Sequence, residues 1–340
     1  MSRPGRSAHP SVASETVVAG TARTSDAAPT PSVASETVVA GTARTSDATG
    51  GAGDGSVDST SRTYRRHVSE ESSGRTPPPS PGRAVDASLP EGERLVAAYL
   101  LGLADDALIY AQRLGEWLTN APQIEEDMAL ANISLDLLGQ ARGLYPHIGQ
   151  LDGTGRGEDD FAMLRDERQF RNVHLVEQER GDFAFEVARL LWFSAARLEL
   201  LAAGSPDPVL GGVMGKGFKE ARYHLDHAHQ WLLRLGDGTQ ESHRRMQDAL
   251  AAVAPYVEEI FEDDPVSVAA YADGVGPLPS ETREVAQRYV ERAVAEATLT
   301  MPEPPTWRSR GGRAGSHSTP LGHLLAEMQH IARSHPGATW

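Results

Sequence analysis

Residues 93–117, ERLVAAYLLGLADDALIYAQRLGEW, decide the fold of this chain. Their apolar side chains recur at alternating spacings of four and three residues, which is the period of a helix that buries one face. The stripe consists of Val96, Leu100, Leu103, Ala107, Tyr110, Leu114 and Trp117. It continues for about six turns. The sequence therefore predicts a long amphipathic helix.

A second helix is predicted after Asn120 and Pro122, and its apolar side chains occupy more than one face. Ile124, Met128, Ala131, Leu135, Leu138 and Tyr145 continue the period of the first helix, while Leu130, Ile133, Leu137 and Leu144 make other faces apolar. A helix that is apolar all round is normally enclosed by its own protein. We therefore expect the second helix to be central and buried.

Two further long helices follow a glycine-rich break at residues 152–157. The third is predicted to begin at Asp182, a residue suited to capping a helix, and the fourth opens at Pro206 and Pro208. Weaker helical segments lie near residues 240–261, 280–297 and 320–333. Four helices of roughly 20 to 30 residues with short links predict an all-α fold, an antiparallel four-helix bundle with additional C-terminal helices.

Residues 1–90 differ in composition from the rest of the chain. They contain one leucine (Leu89), no isoleucine and one aromatic residue (Tyr64), too little apolar surface to offset the entropy of ordering the backbone. We expect a disordered, low-complexity N-terminal tail at 1–90 and a helical domain at 91–340. Residues 10–27 recur unchanged at 31–48, which indicates a recent duplication or a start codon assigned too far upstream.

Composition also excludes several classes of function. The chain has no cysteine, which rules out disulfides, thiolate zinc sites, iron–sulfur clusters and a cysteine nucleophile. Residues 91–340 carry 38 acidic against 23 basic residues, which argues against nucleic acid as a partner. Nowhere is there an apolar run long enough for a membrane span, nor an apolar segment after Arg3 and Arg6 typical of a signal peptide. The sequence predicts a cytoplasmic protein without a membrane partner.

A di-iron site in a four-helix bundle needs one glutamate from each of two helices and Glu-x-x-His from each of the other two. The chain contains this motif only at Glu327 and His330, in the last predicted helix, where its role stays open. The second helix offers Asp136 with no histidine three residues later. On the fourth helix Glu220 and His224 share a face and are the best ligand candidates.

Lys216 lies one turn before Glu220, so its ammonium group can hold the carboxylate as an ion pair where a metal would otherwise bind. We therefore predict a vestigial polar cluster without metal, and no catalytic residue in this chain. Its members are Asp106, Asp136, Lys216, Glu220 and His224. The alternative is that several of these side chains contact solvent or a neighbouring subunit.

Several segments, in the same order along the chain, resemble the C-subunit family of bacterial phenylacetyl-CoA epoxidases. They are QRLGEWL at 112–118, DMALANISLDLLGQARG at 127–143, RDERQF at 165–170, KEARYHL at 219–225 and LGHLLAEMQ at 321–329, with PGATW at the C-terminus. The resemblance covers about residues 93–340. It implies a ferritin-like bundle without a working di-iron centre.

The resemblance also implies partners and cofactors. The chain would support a homologous di-iron catalytic subunit, the A-type chain of these epoxidases, and help to dock phenylacetyl-CoA for epoxidation in phenylacetate catabolism. A reductase component with NADPH, flavin and an iron–sulfur cluster would deliver electrons. This chain would hold no cofactor of its own.

Substrate contacts are implied in two segments. The first follows the matched Arg-Asp-Glu-Arg and comprises Gln169, Phe170, Arg171 and Asn172; Arg171 departs from the residue expected in the family. The second comprises Val268, Ala269 and Ala270, in a loop or short helix with little motif identity.

Two other functions fit the sequence pattern. The chain could be an independent di-iron or manganese oxidoreductase that uses Glu220 and His224 with Asp106, Asp136 and one of Glu186 or Glu177. This hypothesis predicts about two metals per chain. The other is a plain helical adaptor unrelated to an oxygenase, against which only the matched segments argue.

Overall fold

The structure is a computed structural model and describes residues 91–338. The predictions for the tail at residues 1–90, including its duplicated segment, lie outside the described residues. So do the last two residues of the C-terminal PGATW motif.

The described part of the chain consists of α-helices and short 3₁₀ turns, with no β-strand. In chain order the helices are α1 (Glu91–Gly115), α2 (Ile124–Leu151), α3 (Glu158–Met163), α4 (His174–Glu177), α5 (Phe183–Ala202), α6 (Pro208–Gly236), α7 (Gln240–Val257), α8 (Pro265–Ala272), α9 (Pro279–Glu296), α10 (Thr319–Met328) and α11 (His330–Ser334). The 3₁₀ turns are Glu167–Gln169, Glu258–Phe261 and Gly312–Ala314. The predicted all-α class is confirmed.

Helices α1, α2, α5 and α6 form an antiparallel bundle. The Tyr110 ring of α1 packs edge-on against Phe193 of α5 at a centroid distance of 4.9 Å. Nearer the start of α1, the carbonyl of Leu103 accepts a hydrogen bond from Arg197 of α5 at 3.3 Å. Because the residue numbers fall along α1 as they rise along α5, these two helices are antiparallel.

Helices α2 and α6 are antiparallel by the same reasoning. Gly143 lies against Val213, and Glu126 lies 3.2 Å from His227 at the other end. With the hairpins α1–α2 and α5–α6, this arrangement is the ferritin-like four-helix bundle that the sequence predicted.

Side-chain caps set the starts of α5 and α6. Asp182 accepts a hydrogen bond from the Phe185 amide at 2.9 Å, and Asp207 accepts from the Leu210 amide at 2.7 Å, with Pro208 as the first helical residue. A cap of this kind stabilises a helix by about 1 kcal/mol. Both predicted helix starts are confirmed.

One expectation about α2 is wrong. Its buried face is formed by the second apolar set, Leu130, Ile133, Leu137 and Leu144, together with Tyr145 of the first set. Ile124, Met128 and Leu135 are 72%, 63% and 63% exposed. The reason is geometric, because α2 is flanked by α1 on one side and α6 on the other, which leaves its outer side uncovered by this chain.

Helix α1 is long and apolar enough to cross a bilayer by length and composition. Within the described structure, however, 72% of its most apolar window is buried inside the protein. It packs against α2, α4 and α8, and its Tyr110 ring packs against Phe193 of α5, as expected of a core helix.

Two buried glutamates attach the C-terminal region to the bundle. Glu177 accepts hydrogen bonds from the His317 ring at 2.8 Å and from the Ser318 amide at 2.6 Å. Glu259 accepts from the His174 ring at 2.8 Å and from the Gly312 amide at 2.8 Å. These contacts bring residues 309–318 next to the segment that precedes α5.

Candidate functional site

A cavity of about 110 Å³ lies where α1, α5 and the start of α8 meet. Its apolar walls include Tyr99, Leu101, Leu103, Phe193, Leu200, Ile260 and Val266. Its charged lining residues are Asp106, Asp264, Arg171, Arg197 and Arg313. A cavity that combines apolar walls with more guanidinium groups than carboxylates is suited to an anionic ligand with an apolar part.

Two adjacent acids on α1 hold the chain segment that carries Arg171. The Arg171 amide donates to Asp105 at 2.8 Å, and the Val173 amide donates to Asp106 at 2.9 Å. Asp105 also accepts from the Tyr145 hydroxyl at 2.7 Å and from the Arg165 guanidinium at 2.9 Å. Burial, followed by the charge of Asp105, raises the pKa of Tyr145 well above its ordinary value, so Tyr145 stays a neutral donor. The backbone at Arg171 is therefore fixed by buried, charge-assisted hydrogen bonds.

Arg313 also connects the chain segment at Arg171 to α1. Its guanidinium donates to Asp106 at 2.7 and 3.0 Å and to the carbonyls of Arg171 at 2.7 Å and Gly102 at 2.9 Å. Burial raises the pKa of Asp106, and the charge of Arg313 opposes that shift. The bidentate pair supports the ionised carboxylate. Gly102 allows this approach, since an added Cβ would lie 3.0 Å from the guanidinium.

The charge of Arg171 is not neutralised by a carboxylate of the described residues. Its guanidinium donates to the carbonyls of Arg168 and Phe170, both at 2.7 Å, and no carboxylate of the described residues lies within ion-pair distance of it. Burial lowers its pKa, but an arginine remains charged at neutral pH. Arg171 is therefore the lining residue best placed to receive an anionic group.

The other residues of the first predicted substrate-contact segment do not line the cavity. Gln169 is exposed, Phe170 is buried beneath the Arg165 guanidinium, and Asn172 is buried and donates to Glu177 at 2.8 Å. Of the two predicted segments, the first thus contributes only Arg171 to the lining.

The second predicted segment lies on α8. Val266 and Ser267, just before it, line the cavity, while Val268 is half exposed and Ala270 is fully buried. Ala269 is partly exposed and does not line the cavity either. Of the seven predicted substrate-contact residues, only Arg171 lines this cavity, and the second segment only follows the lining residues Val266 and Ser267 along the chain.

The residues predicted as a vestigial cluster fall into separate groups. Lys216 pairs with Glu220 at 2.9 Å, as its helical spacing suggested. His224 pairs with Asp136 at 3.1 Å, and burial lowers the pKa of His224. Asp106 belongs to the Arg313 pair on the cavity side. Among residues 91–338, no three histidine, aspartate or glutamate side chains converge as a metal site would require.

A continuous chain of hydrogen bonds crosses the bundle interior from Glu220. Gln140 of α2 donates to Glu220 at 3.0 Å and accepts from Arg197 of α5 at 2.9 Å. Arg197 in turn donates to the Leu103 carbonyl of α1. All four helices contribute, so amide and guanidinium groups occupy the space between the two hairpins. The donor set there does not fit a cation, since Arg197 is itself positively charged, and the 71% exposed Lys216 pairs with Glu220 from the surface.

The other ligand candidates are also engaged. Glu186 accepts from Tyr110 and Trp117, both at 2.8 Å, and forms a buried pair with Arg189. Glu177 is held by His317. Glu327 and His330 are both exposed and lie on different helices, α10 and α11.

Sequence reasoning missed the arginines that organise this site. Arg189 and Arg197 lie within FAFEVARLLWFSAARLELLA, the most apolar of the long helices. A buried charged residue needs a partner. An arginine within so apolar a run was therefore the sequence signal that predicts a buried polar contact. Arg313 carries no local signal, since it follows a glycine-rich loop 207 residues from Asp106.

Comparison with known proteins identifies relatives. The family model described as phenylacetic acid catabolic protein matches residues 82–340. The C subunit of 1,2-phenylacetyl-CoA epoxidase from Escherichia coli (strain K12) is 42% identical over 247 residues, which cover 72% of this chain and 99% of the relative.

Proposed function

The chain belongs to the phenylacetic acid catabolic protein family, and we propose that it is the supporting, non-catalytic subunit of a phenylacetyl-CoA epoxidase. The observation that carries this proposal is the match to the E. coli epoxidase chain over 99% of that relative's length. Its role would be to hold a di-iron catalytic subunit in its working assembly and to contribute to the binding of phenylacetyl-CoA in the cytoplasm.

The bundle interior supports the absence of a metal centre in this chain. A di-iron site needs carboxylates and imidazoles directed into one space. Here Glu220 is engaged by Lys216 and Gln140, and His224 by Asp136. Removing these partners to make room for a metal would leave charged groups without a counter-charge. We propose that the partner's di-iron centre supplies the oxygen activation, with electrons from a reductase component.

The cavity beside Arg171 supports a contribution to substrate binding. Coenzyme A thioesters combine anionic phosphates with an uncharged arm, which matches an unpaired guanidinium next to apolar walls. Ligand pockets usually measure about 300–1,000 Å³, so a cavity of about 110 Å³ accepts part of the thioester. We propose that Arg171 neutralises an anionic group while the partner protein encloses the remainder.

Elemental analysis of this chain alone and of its complex with the catalytic subunit tests the supporting role. We expect iron in the complex only, and turnover of phenylacetyl-CoA only when both chains and a reductase are present. Stoichiometric iron or manganese in the isolated chain would overturn the proposal in favour of a di-metal oxidoreductase that uses Glu220 and His224.

The substitution Arg171→Gln tests the substrate contact. We expect the KM for phenylacetyl-CoA to rise about tenfold, the loss of one charge-assisted contact, with kcat little changed because no reacting atom is touched. Arg168→Gln is the matched control, since Arg168 is an arginine three residues away that does not line the cavity. An unchanged KM in Arg171→Gln would contradict the assignment.

A further inference from the structure

Arg197 of α5 is a buried cation that has no counter-charge among the described residues. Four arginines of residues 91–338 are 5% exposed or less. Three of them pair with a carboxylate, namely Arg113 with Glu116, Arg165 with Asp105 and Arg189 with Glu186. Arg197 has no described carboxylate within ion-pair distance. A buried charge is unfavourable unless it is paired, so the fold alone does not explain Arg197.

The hydrogen bonds of Arg197 all go to uncharged groups. Its guanidinium donates to the Gln140 side-chain oxygen at 2.9 and 3.3 Å, and from both terminal nitrogens to the Leu103 carbonyl at 3.3 Å. Bonds of 3.3 Å are longer than the usual N–H···O range. The Leu103 carbonyl is also an acceptor within its own helix. A stronger acceptor can therefore take these N–H groups without leaving that carbonyl unpaired.

Arg197 lines the cavity between α1, α5 and α8, next to apolar side chains. Its guanidinium carbon lies 6.0 Å from the centre of the Phe193 ring, and Leu103 and Leu200 line the same cavity. Burial lowers the pKa of Arg197, with the charge of Asp106 opposing this shift, but an arginine remains protonated at neutral pH. The cavity therefore presents a permanent positive charge beside an apolar wall.

Neither carboxylate of the cavity lining neutralises Arg197. Asp106 forms its bidentate pair with Arg313, and Asp264 accepts from two backbone amides at the start of α8. The lining contains three guanidinium groups and two carboxylates, which leaves one positive charge in excess. One added negative charge would balance the lining, which favours a carboxylate over a doubly charged phosphate.

The size of the cavity limits the apolar part of a ligand. Its volume is about 110 Å³, and a cavity of about 150 Å³ is known to hold benzene. The lining residue Ala98 is exposed, so the cavity opens to solvent and part of a ligand can remain at the opening. An apolar body of about one ring fits these dimensions.

We propose that this cavity binds a small monocarboxylate with an apolar body of about one ring, and that Arg197 receives the carboxylate. The inference goes beyond the proposed function, because it concerns a free acid bound by this chain alone. It also assigns a different guanidinium group. Arg171 is partly exposed and suits an anion that reaches the cavity from the surface, whereas Arg197 suits one that is enclosed.

Calorimetric titration of the isolated chain tests the ligand class without any substitution. Sodium phenylacetate is the probe, since phenylacetic acid appears in the description of the matching family. We expect it to bind at least about tenfold more tightly than 2-phenylethanol, which lacks the carboxylate, or acetate, which lacks the ring. No binding of phenylacetate, or equal binding of 2-phenylethanol, would overturn the inference.

Two substitutions test the position of the carboxylate. Arg197→Met should weaken phenylacetate binding at least about tenfold. Arg222→Gln is the matched control, since Arg222 is exposed on α6 and does not line the cavity. Ala196→Met keeps Arg197 but fills part of the cavity, because Ala196 is a buried lining residue, and it should also weaken binding. Circular dichroism and the unfolding midpoint check that each variant folds, and Ala196→Met alone decides the test if Arg197→Met does not fold.

The remaining outcomes distinguish this site from other anion sites. Wild-type affinity for phenylacetate in either folded cavity variant would contradict the inference. The same holds if Arg171→Gln removes binding while Arg197→Met does not, because the anion would then lie at Arg171. Inorganic phosphate that binds as tightly as phenylacetate would show a general anion site and would also overturn the proposal. None of these results affects the supporting role, which iron content and turnover test separately.

Discussion

His174 and His224 are both buried next to a carboxylate, yet their pKa values shift in opposite directions. Burial lowers the pKa of His174, but the hydrogen bond and charge of Glu259, with the charge of Glu177, outweigh it, so the net pKa is raised. For His224, burial outweighs the hydrogen bond and charge of Asp136, and the pKa is lowered. The folded state therefore favours protonated His174 and neutral His224.

These shifts predict two separate windows of pH-dependent stability. The contribution of His174 is present below about pH 6.5 and is lost as pH rises through its raised folded pKa, whereas His224 destabilises the fold as pH falls below about 6.5 towards its lowered pKa. His174→Gln should flatten the decline of the unfolding midpoint above that pH, and His224→Gln the decline below it. The measurement is the thermal unfolding midpoint as a function of pH, with His323→Gln on α10 as the control. If both variants kept the wild-type pH profile, the assignment would be contradicted.

The buried Glu186–Arg189 pair predicts a large loss of stability when only one partner is removed. Glu186 accepts from Tyr110, Trp117 and Arg189, all within the bundle. Glu186→Gln leaves the Arg189 charge uncompensated and should lower the free energy of unfolding by about 3–5 kcal/mol. Adding Arg189→Met should recover much of this loss. Exposed Glu284→Gln is the control for urea unfolding, and a double variant no more stable than the single one would refute this explanation.

At the scale of the helix, periodicity was sufficient for predicting the elements but not for choosing the buried side of α2. The stripe of α1 and the caps at Asp182 and Asp207 are local signals, because a helix repeats within a few residues. Both apolar sides of α2 satisfy the same period. Which one meets the core depends on where α1 and α6 lie, and that is a property of the assembled bundle.

The glycines of α6 give a prediction at this scale. Gly212 is exposed, with no atom within 4 Å of the position that an added Cβ would take, whereas a Cβ at Gly217 would lie 3.1 Å from Gln140 and 3.2 Å from Leu201. Gly212→Ala should stabilise the protein by about 0.5–1 kcal/mol through the restricted unfolded chain. Gly217→Ala should destabilise it because the α2–α6 contact must widen. Thermal melts compare the two, and equal shifts would show that close packing at Gly217 is not limiting.

Across the whole molecule, the candidate site depends on contacts between distant parts of the chain. Asp106 meets Arg313 across 207 residues, and His317 meets Glu177 across 140. The sequence identified Asp106 as polar within an apolar stripe but could not supply its partner, because nothing local links the two positions. The resemblance to known epoxidase chains predicted substrate contacts at Arg171 and on α8, and the structure places Arg171, but none of Val268, Ala269 and Ala270, in the cavity lining.

Removing residues 1–90 provides the last prediction. The family match begins at residue 82, and the E. coli relative is covered almost completely by 247 residues of this chain. A variant that begins at Glu91 should therefore keep the unfolding midpoint and the affinity for the catalytic subunit. In the isolated chain, Met128→Cys should react with maleimide at the same rate with and without the tail, because the tail has only one leucine, no isoleucine and one aromatic residue with which to cover the exposed side of α2. Slower labelling in the longer chain would show that the tail covers this side of α2.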